Sequence, residues 1–226
     1  METQKGVWFV TLLLAAVAGY CDTVTFVAAD SIFSAHVTGN FIVFAYQIIK
    51  GSDSQAWIKL LTFPVFIIAV IIGGQIASRA LNRHKILLLE GIVLLISGAA
   101  AIAFVHVPKL DWVGYSVVML VVLAMGLQNA FGKLFAKETY GPTTMMTGNV
   151  TQAALDLGSI ITSGFKDILT WESLKKQSTT IGGFLIGCLL GALMAKNFGL
   201  GVIILPGVAM IICYWITNKT AAVQPV

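Results

Sequence analysis

Charge is scarce in this chain. Asp, Glu, Lys and Arg make up 11% of its 226 residues, less than half of the roughly 25% in an ordinary soluble domain. A soluble core wrapped in a charged surface is therefore excluded. Cysteine is scarce too: Cys21, Cys188 and Cys213 all lie in apolar segments, which argues against a disulfide framework and suits small buried hydrophobes. Signatures of common chemistry are missing. There is no Walker loop, HExxH, CxxC pair, GxSxG or Gly-rich dinucleotide fingerprint, so ATP-driven work by this chain alone and the common hydrolases lack support. We expect no cofactor, no bound metal and no enzyme. The net charge of +4 is small and spread over short loops, which suits topology control in a membrane and excludes nucleic acid as the favoured partner.

Apolar residues are what the chain has in excess, at 58%. They fall into eight runs: Val7–Ala29, Val37–Ile49, Trp57–Ser78, Ile86–Val107, Val113–Phe131, Thr143–Ile161, Thr179–Ala195 and Phe198–Ile216. The first is expected to stay in the membrane, being too long for a signal peptide, carrying Asp22, and leading on without a small-residue cleavage site. The second is too short to span a hydrocarbon core, which takes about 20 helical residues. The sixth is interrupted by polar residues and by Asp156.

These two broken runs belong to an internal repeat. Gly19 is followed by Asp22 and then by Thr38-Gly39-Asn40, and Gly126 by Asn129 and then by Thr147-Gly148-Asn149. Small residues also repeat at four-residue spacing on the third and seventh runs, as Ala69, Gly73 and Ala77 and as Gly183, Gly187, Gly191 and Ala195. Such ladders let helix backbones approach closely, and the second suits a homodimer as readily as internal packing. The ladders are 118 residues apart and the two Asn-ended triplets 109, so an insertion is expected around Thr162–Gln177, as a cytoplasmic surface segment. Pro64 and Pro206 are expected to kink their helices.

Positive charge selects the topology, since Lys and Arg accumulate in short cytoplasmic loops. Eight full crossings give a split of 8 inside to 6 outside. If the second and sixth runs dip in and return on the same side, Arg79, Arg83, Lys85, Lys133 and Lys137 move inside, Lys50, Lys59 and Lys109 move outside, and the split becomes 10 to 4. The expected fold is thus a single all-α membrane domain over residues 1–226. It holds two inverted repeats, 7–110 and 111–217, each of three transmembrane helices plus one re-entrant half-helix, with a loose tail at 218–226. Both termini are then cytoplasmic in a multi-pass plasma-membrane protein. The alternative is eight full crossings as two parallel four-helix repeats.

A carboxylate inside a spanning helix costs a few kcal/mol and usually faces a water-filled path or a partner. Asp22 is thus the sharpest candidate, the bland alternative being an interfacial residue near the helix end. Its repeat mate Asn129 is polar but cannot titrate, which suits proton or Na⁺ coupling through one half only. The Thr-Gly-Asn triplets, at the starts of half-helices, suit caps and a positive dipole end that presents donors to a solute or anion. Capping alone is the plainer reading. His36 precedes the first triplet with Met145 at the matching place, so it lies off the symmetric scaffold; a packing role and a proton relay are both open. Gln128, beside Asn129, faces either the same cavity or another helix. Asp156 faces a cavity or the cytoplasm, Glu90 suits an ion pair with the basic Arg79–Lys85 loop, and His84 and His106 sit by loops at the interface.

The segments AGYCDTVTF with HVTGN, and MGLQNAF with MMTGN, resemble the paired signatures of the YoaK-like family of small bacterial inner-membrane proteins, a domain of unknown function. The resemblance covers nearly the whole chain and implies a multi-pass plasma-membrane protein, with no activity attached. From the residues we expect a secondary transporter for a small polar or anionic solute, bound at mid-membrane by both triplets and Asp22. A passive channel, or a membrane-embedded scaffold or enzyme, are the alternatives.

Overall fold

A computed structural model describes residues 2–51, 55–79, 84–104 and 111–222. His106, Lys109, Arg83, Ser54 and Asn82 lie outside the described residues. The chain forms α1 (Glu2–Ala28), α2 (Gly39–Lys50), α3 (Ile58–Arg79), α4 (Lys85–Phe104), α5 (Asp111–Leu134), α6 (Met146–Thr162) and α7 (Ile168–Phe198), then a 3-10 turn (Gly199–Ile203) and α8 (Ile204–Ala222). No strand occurs among the described residues. Among the described residues, five stretches are long and apolar enough to cross a membrane: Gly6–Ala28, Ile58–Arg79, Lys85–Phe104, Trp112–Leu134 and Ile168–Asn218, the last containing α7, the turn and α8.

Helix ends are set by local chemistry. Asp30 and Ser31 adopt φ of 50° and 57°, a left-handed turn that stops α1, and the Ser31 N–H bonds back to the Phe26 carbonyl at 3.1 Å, which satisfies an end carbonyl. Gly51, at φ 61°, ends α2 in the same way. Asp167 starts α7 by accepting from the Leu169 and Thr170 N–H groups. Those bonds and the Thr170 hydroxyl, the largest contributor, hold its carboxyl below the usual range.

The insertion expected as a surface segment, Thr162–Gln177, has no buried residue and is largely helical. Most of it is the opening of α7, whose 31 residues run about 46 Å. That exceeds a hydrocarbon core of about 30 Å, so its first turns, with the Glu172–Lys175 pair at 2.9 Å, project beyond an apolar slab. Pro206 falls in the first turn of α8, where its missing N–H has no helical partner to lose.

Close packing follows the small residues. α1 and α7 run parallel, with Gly183, Gly187 and Gly191 lying on the backbone at Leu12, Ala16 and Tyr20. α3 and α5 also run parallel, with Gly73 against Ala130 and Gly126 against Ala69 and Phe66. α4 and α8 run antiparallel, Gly91 meeting Ile211 and Gly98 meeting Ile204. The seventh-run ladder is therefore used inside the chain. Between these pairs lies the larger of two apolar clusters among the described residues, which includes Leu14, Cys21, Leu94, Met125 and Phe131.

Two polar residues differ from expectation. Glu90 is fully buried in α4 and neither carboxylate oxygen has a hydrogen-bond partner, so the ion pair with the Arg79–Lys85 loop is not made among the described residues. Burial against α8 turns it inward, away from that loop. His84 is buried rather than interfacial, with Nε2 3.6 Å from Glu138.

Candidate functional site

After α1 ends, residues 29–38 turn back along it. Asp22, two turns earlier, holds them there: Oδ1 accepts from the Ala35 N–H at 2.7 Å and the His36 N–H at 3.3 Å, and Oδ2 lies 2.7 Å from His36 Nδ1. Asp22 is 4% exposed, so three hydrogen bonds compensate the burial of its carboxylate. α2 then returns toward the end of α1, where the Gln47 amide reaches Asp30 at 3.4 Å. Lys59, fully buried in the first turn of α3, closes on Asp30 at 2.5 Å.

Beside the Asp22–His36 pair is a cavity of about 590 Å³. Asp22, Thr23, His36, Thr38 and Gly39 line its polar side, and Phe26, Phe33, Ile42 and Phe184 form apolar walls. The Phe184 ring meets the His36 ring edge-on with centroids 5.5 Å apart.

Asn40 stands behind this wall. Its side chain binds the backbone seven residues back, accepting from the Phe33 N–H and donating to the Phe33 carbonyl, both at 2.8 Å, and donates to Thr62 Oγ1 at 2.9 Å. Asn149 does the matching work, donating to the Pro142 carbonyl at 2.9 Å. Proline has no N–H to return, so that half of the clamp is missing. Neither triplet caps its helix with a side chain; the Asn ties a loop to it instead. Asn40→Ala is accordingly expected to lower stability by about 3 kcal/mol and Asn149→Ala by about 1, since three bonds are lost in one case and one good bond in the other. Thermal unfolding of the purified variants checks the order.

The second loop is held the same way. The Asn129 amide donates to Thr144 Oγ1 at 2.7 Å, and the Gln128 amide to Thr143 Oγ1 at 2.9 Å and to the Leu14 carbonyl at 2.8 Å. Thr11 accepts the Tyr140 N–H at 2.9 Å, so this loop leans on α1. Thr147 and Gly148 are exposed on α6. Asp156 is buried, accepts from Gln152 at 2.8 Å and does not line the cavity.

The expectation of one site built from both triplets needs correcting. α2 packs on α3 and α6 on α7, and among the described residues α2 and α6 have no extensive contact with each other. Asp22, His36, Thr38 and Gly39 come together; Gln128, Asn129 and Asn149 form a separate set, because each Asn is used up on its own loop. Sequence reasoning missed Phe26, Phe33, Phe184 and the Asp30–Lys59 pair. Phe184 had a signal, since it sits in the seventh-run ladder 118 residues after Phe66. Lys59 had none, because apolar averaging hides one lysine at the start of a run.

Residues 10–216 match the family model described as protein of unknown function, DUF1275. The chain is also similar to the UPF0700 transmembrane protein YoaK of Bacillus subtilis (strain 168), at 24% identity over 151 residues, 64% of this chain and 64% of the relative. It thus covers less than two thirds of that relative's length. No solved structure matches.

Proposed function

The chain belongs to the DUF1275 family, the YoaK-like proteins, and within this family of membrane-embedded helical proteins we propose that it is a secondary transporter for a small amphipathic organic solute. The observation that carries the reading is the Asp22–His36 pair at the wall of a cavity otherwise bounded by Phe26, Phe33 and Phe184. Aromatic walls with a few convergent polar groups suit a solute with an apolar body and one hydrogen-bonding head, in place of the small polar or anionic solute expected from the triplets. The head that binds Asp22 competes with His36 and with the N–H groups of Ala35 and His36. Binding therefore loosens the 29–38 loop from α1, and solute and proton bias the same two-state element. A channel between two facing Asn tips loses its basis, because the tips are spent on separate loops.

The topology belonging to this proposal is six crossings, by α1, α3, α4, α5, α7 and α8, in two inverted repeats, with α2 and α6 re-entrant and both termini in the cytoplasm of a plasma-membrane protein. Three observations support it. α2 has 12 residues and rises about 18 Å, too little to cross. The Gln47–Asp30 contact returns its end to the level where α1 stops. Gly19 abuts the Phe184 carbonyl and its mate Gly126 the Phe66 carbonyl, the exchange of partners that a two-fold relation between repeats requires. Cysteine placed at Ser54 in a cysteine-free background is expected to react with an impermeant thiol reagent on intact cells, and cysteine at Asn82 only after permeabilisation. The reverse pattern removes the topology.

The solute reading is tested on purified protein with a panel of small amines, acids and alcohols. A compound that raises the unfolding temperature should accumulate in proteoliposomes when a pH gradient is imposed, and both effects should vanish in Thr38→Trp, whose ring would intrude on the cavity that Thr38 lines. Stabilisation or uptake that survives Thr38→Trp places the site elsewhere.

A further inference from the structure

Glu90 is a further buried carboxylate, and nothing in the solute site uses it. It lies on α4, five residues after Lys85, about 8 Å along the helix from its start. Its side chain is fully buried, and neither oxygen finds a donor. An ionised carboxylate without a compensating partner is among the most expensive groups to bury, so a residue of this kind in a packed membrane core is there either as an acid that holds its proton or as the ligand of a cation.

The surroundings decide between these. α8 packs against α4 here, with Gly91 meeting Gly207 and Ile211, and brings Cys213 within electrostatic reach of Glu90; Cys21 of α1 lies within reach on another side. α3, α5 and the 199–203 turn complete the packing. Among the described residues no lysine, arginine or histidine hydrogen-bonds the carboxyl. His84, in the turn just before α4, lies about 9 Å away along the axis and is turned to Glu138. A hard cation requires several oxygen ligands, and two thiols among aliphatic side chains do not supply them. A proton requires only the carboxyl.

We propose that Glu90 is an intramembrane proton-binding site, a carboxyl that keeps its proton while α4 and α8 are packed together and exchanges it when they separate. The glycines at 91, 98 and 207 make this contact tight, and a contact that depends on backbone approach has few intermediate states between closed and open. The site is distinct from the cavity at Asp22 and does not rest on the solute reading.

The test uses the full-length protein in proteoliposomes and N,N′-dicyclohexylcarbodiimide, an apolar carbodiimide that enters bilayers. A protonated carboxyl adds its O–H across one C=N bond of the reagent and the product rearranges to a stable N-acylurea, with no leaving group and no oxidant. Peptide mass spectrometry is expected to find the adduct on Glu90, falling about tenfold per pH unit once pH exceeds the midpoint of the protonated fraction. Asp22→Asn is expected to leave the adduct in place, and Glu90→Gln to remove it. Should Glu90→Gln fail to fold, the pH series on the wild-type peptide is decisive by itself. No adduct on Glu90 at any pH overturns the proposal. So does an adduct whose yield is unchanged with pH, which marks a carboxyl that is protonated permanently and only fills space.

Discussion

Gly187→Ala is expected to be the most damaging single-methyl change in the chain. The added β-carbon would collide with the Ala16 carbonyl of α1 and crowd the rest of that residue's backbone. A carbonyl oxygen is fixed by its helix and cannot rotate aside as a side-chain end can, so α1 and α7 must separate. Among the described residues their contact is the most extensive between two helices, and it also positions Asp22 and Phe184 on the cavity wall. Overpacking of a tight core commonly costs about 1–3 kcal/mol, and backbone on both sides puts this position at or above the upper end. Gly19→Ala, which meets the Phe184 carbonyl, should behave alike. Gly182→Ala is the control: nothing lies within 4 Å of its β-carbon, and replacing a helical glycine by alanine favours the helix by about 1 kcal/mol. Thermal unfolding in one detergent reads all three. Equal stability of Gly187→Ala and Gly182→Ala would mean that α1 and α7 are not packed this closely.

That pairing was partly legible in the sequence, and the reason is periodicity. Residues at four-residue spacing share a helix face, so Gly183, Gly187 and Gly191 announce a surface made for another backbone. Which helix it meets is not written locally. The answer lay in the repeat itself: Gly19 and Gly126 recur, Phe66 and Phe184 recur with the ladders, and each glycine packs on the phenylalanine carbonyl of the other half.

The side-chain directions were not legible. Asn40 and Asn149 recur at matching places, and recurrence suggested a shared ligand. A buried amide instead satisfies the nearest unpaired backbone, and a loop that doubles back places residue 33 or 142 at hand. Glu90 was misjudged for a related reason. It stands near a basic loop in sequence, but on a helix neighbours in sequence point to different faces, and its face is the one that α8 covers. The Asp22–His36 contact spans fourteen residues and depends on the left-handed turn at Asp30 and Ser31, a conformation that neither residue type demands.

Asp22→Asn is expected to fold and to lose gradient-driven transport. The carboxylate does two jobs, and they separate chemically. As an acceptor, Oδ1 holds the N–H groups of Ala35 and His36; an amide oxygen in the same place keeps both bonds. At the other oxygen, the amide nitrogen donates to His36 Nδ1, which accepts once its proton sits on Nε2. Stability should therefore stay within about 1 kcal/mol of the wild type, and the matching half already uses an amide, Asn129, to hold its own loop through Thr144. Asp22→Ala removes the acceptor as well, leaves two loop N–H groups without it, and should cost about 1–3 kcal/mol for each that stays buried. The asparagine variant therefore isolates charge from the fold. It carries no negative charge to neutralise a cationic head, so the proposed link between proton and solute at the 29–38 loop should be cut, while the cavity keeps its shape. In proteoliposomes it should let solute equilibrate across the bilayer and not accumulate, whatever pH gradient is imposed. Accumulation at the wild-type level by folded Asp22→Asn would show that coupling runs through another residue, and Glu90 would then be the carboxyl to replace.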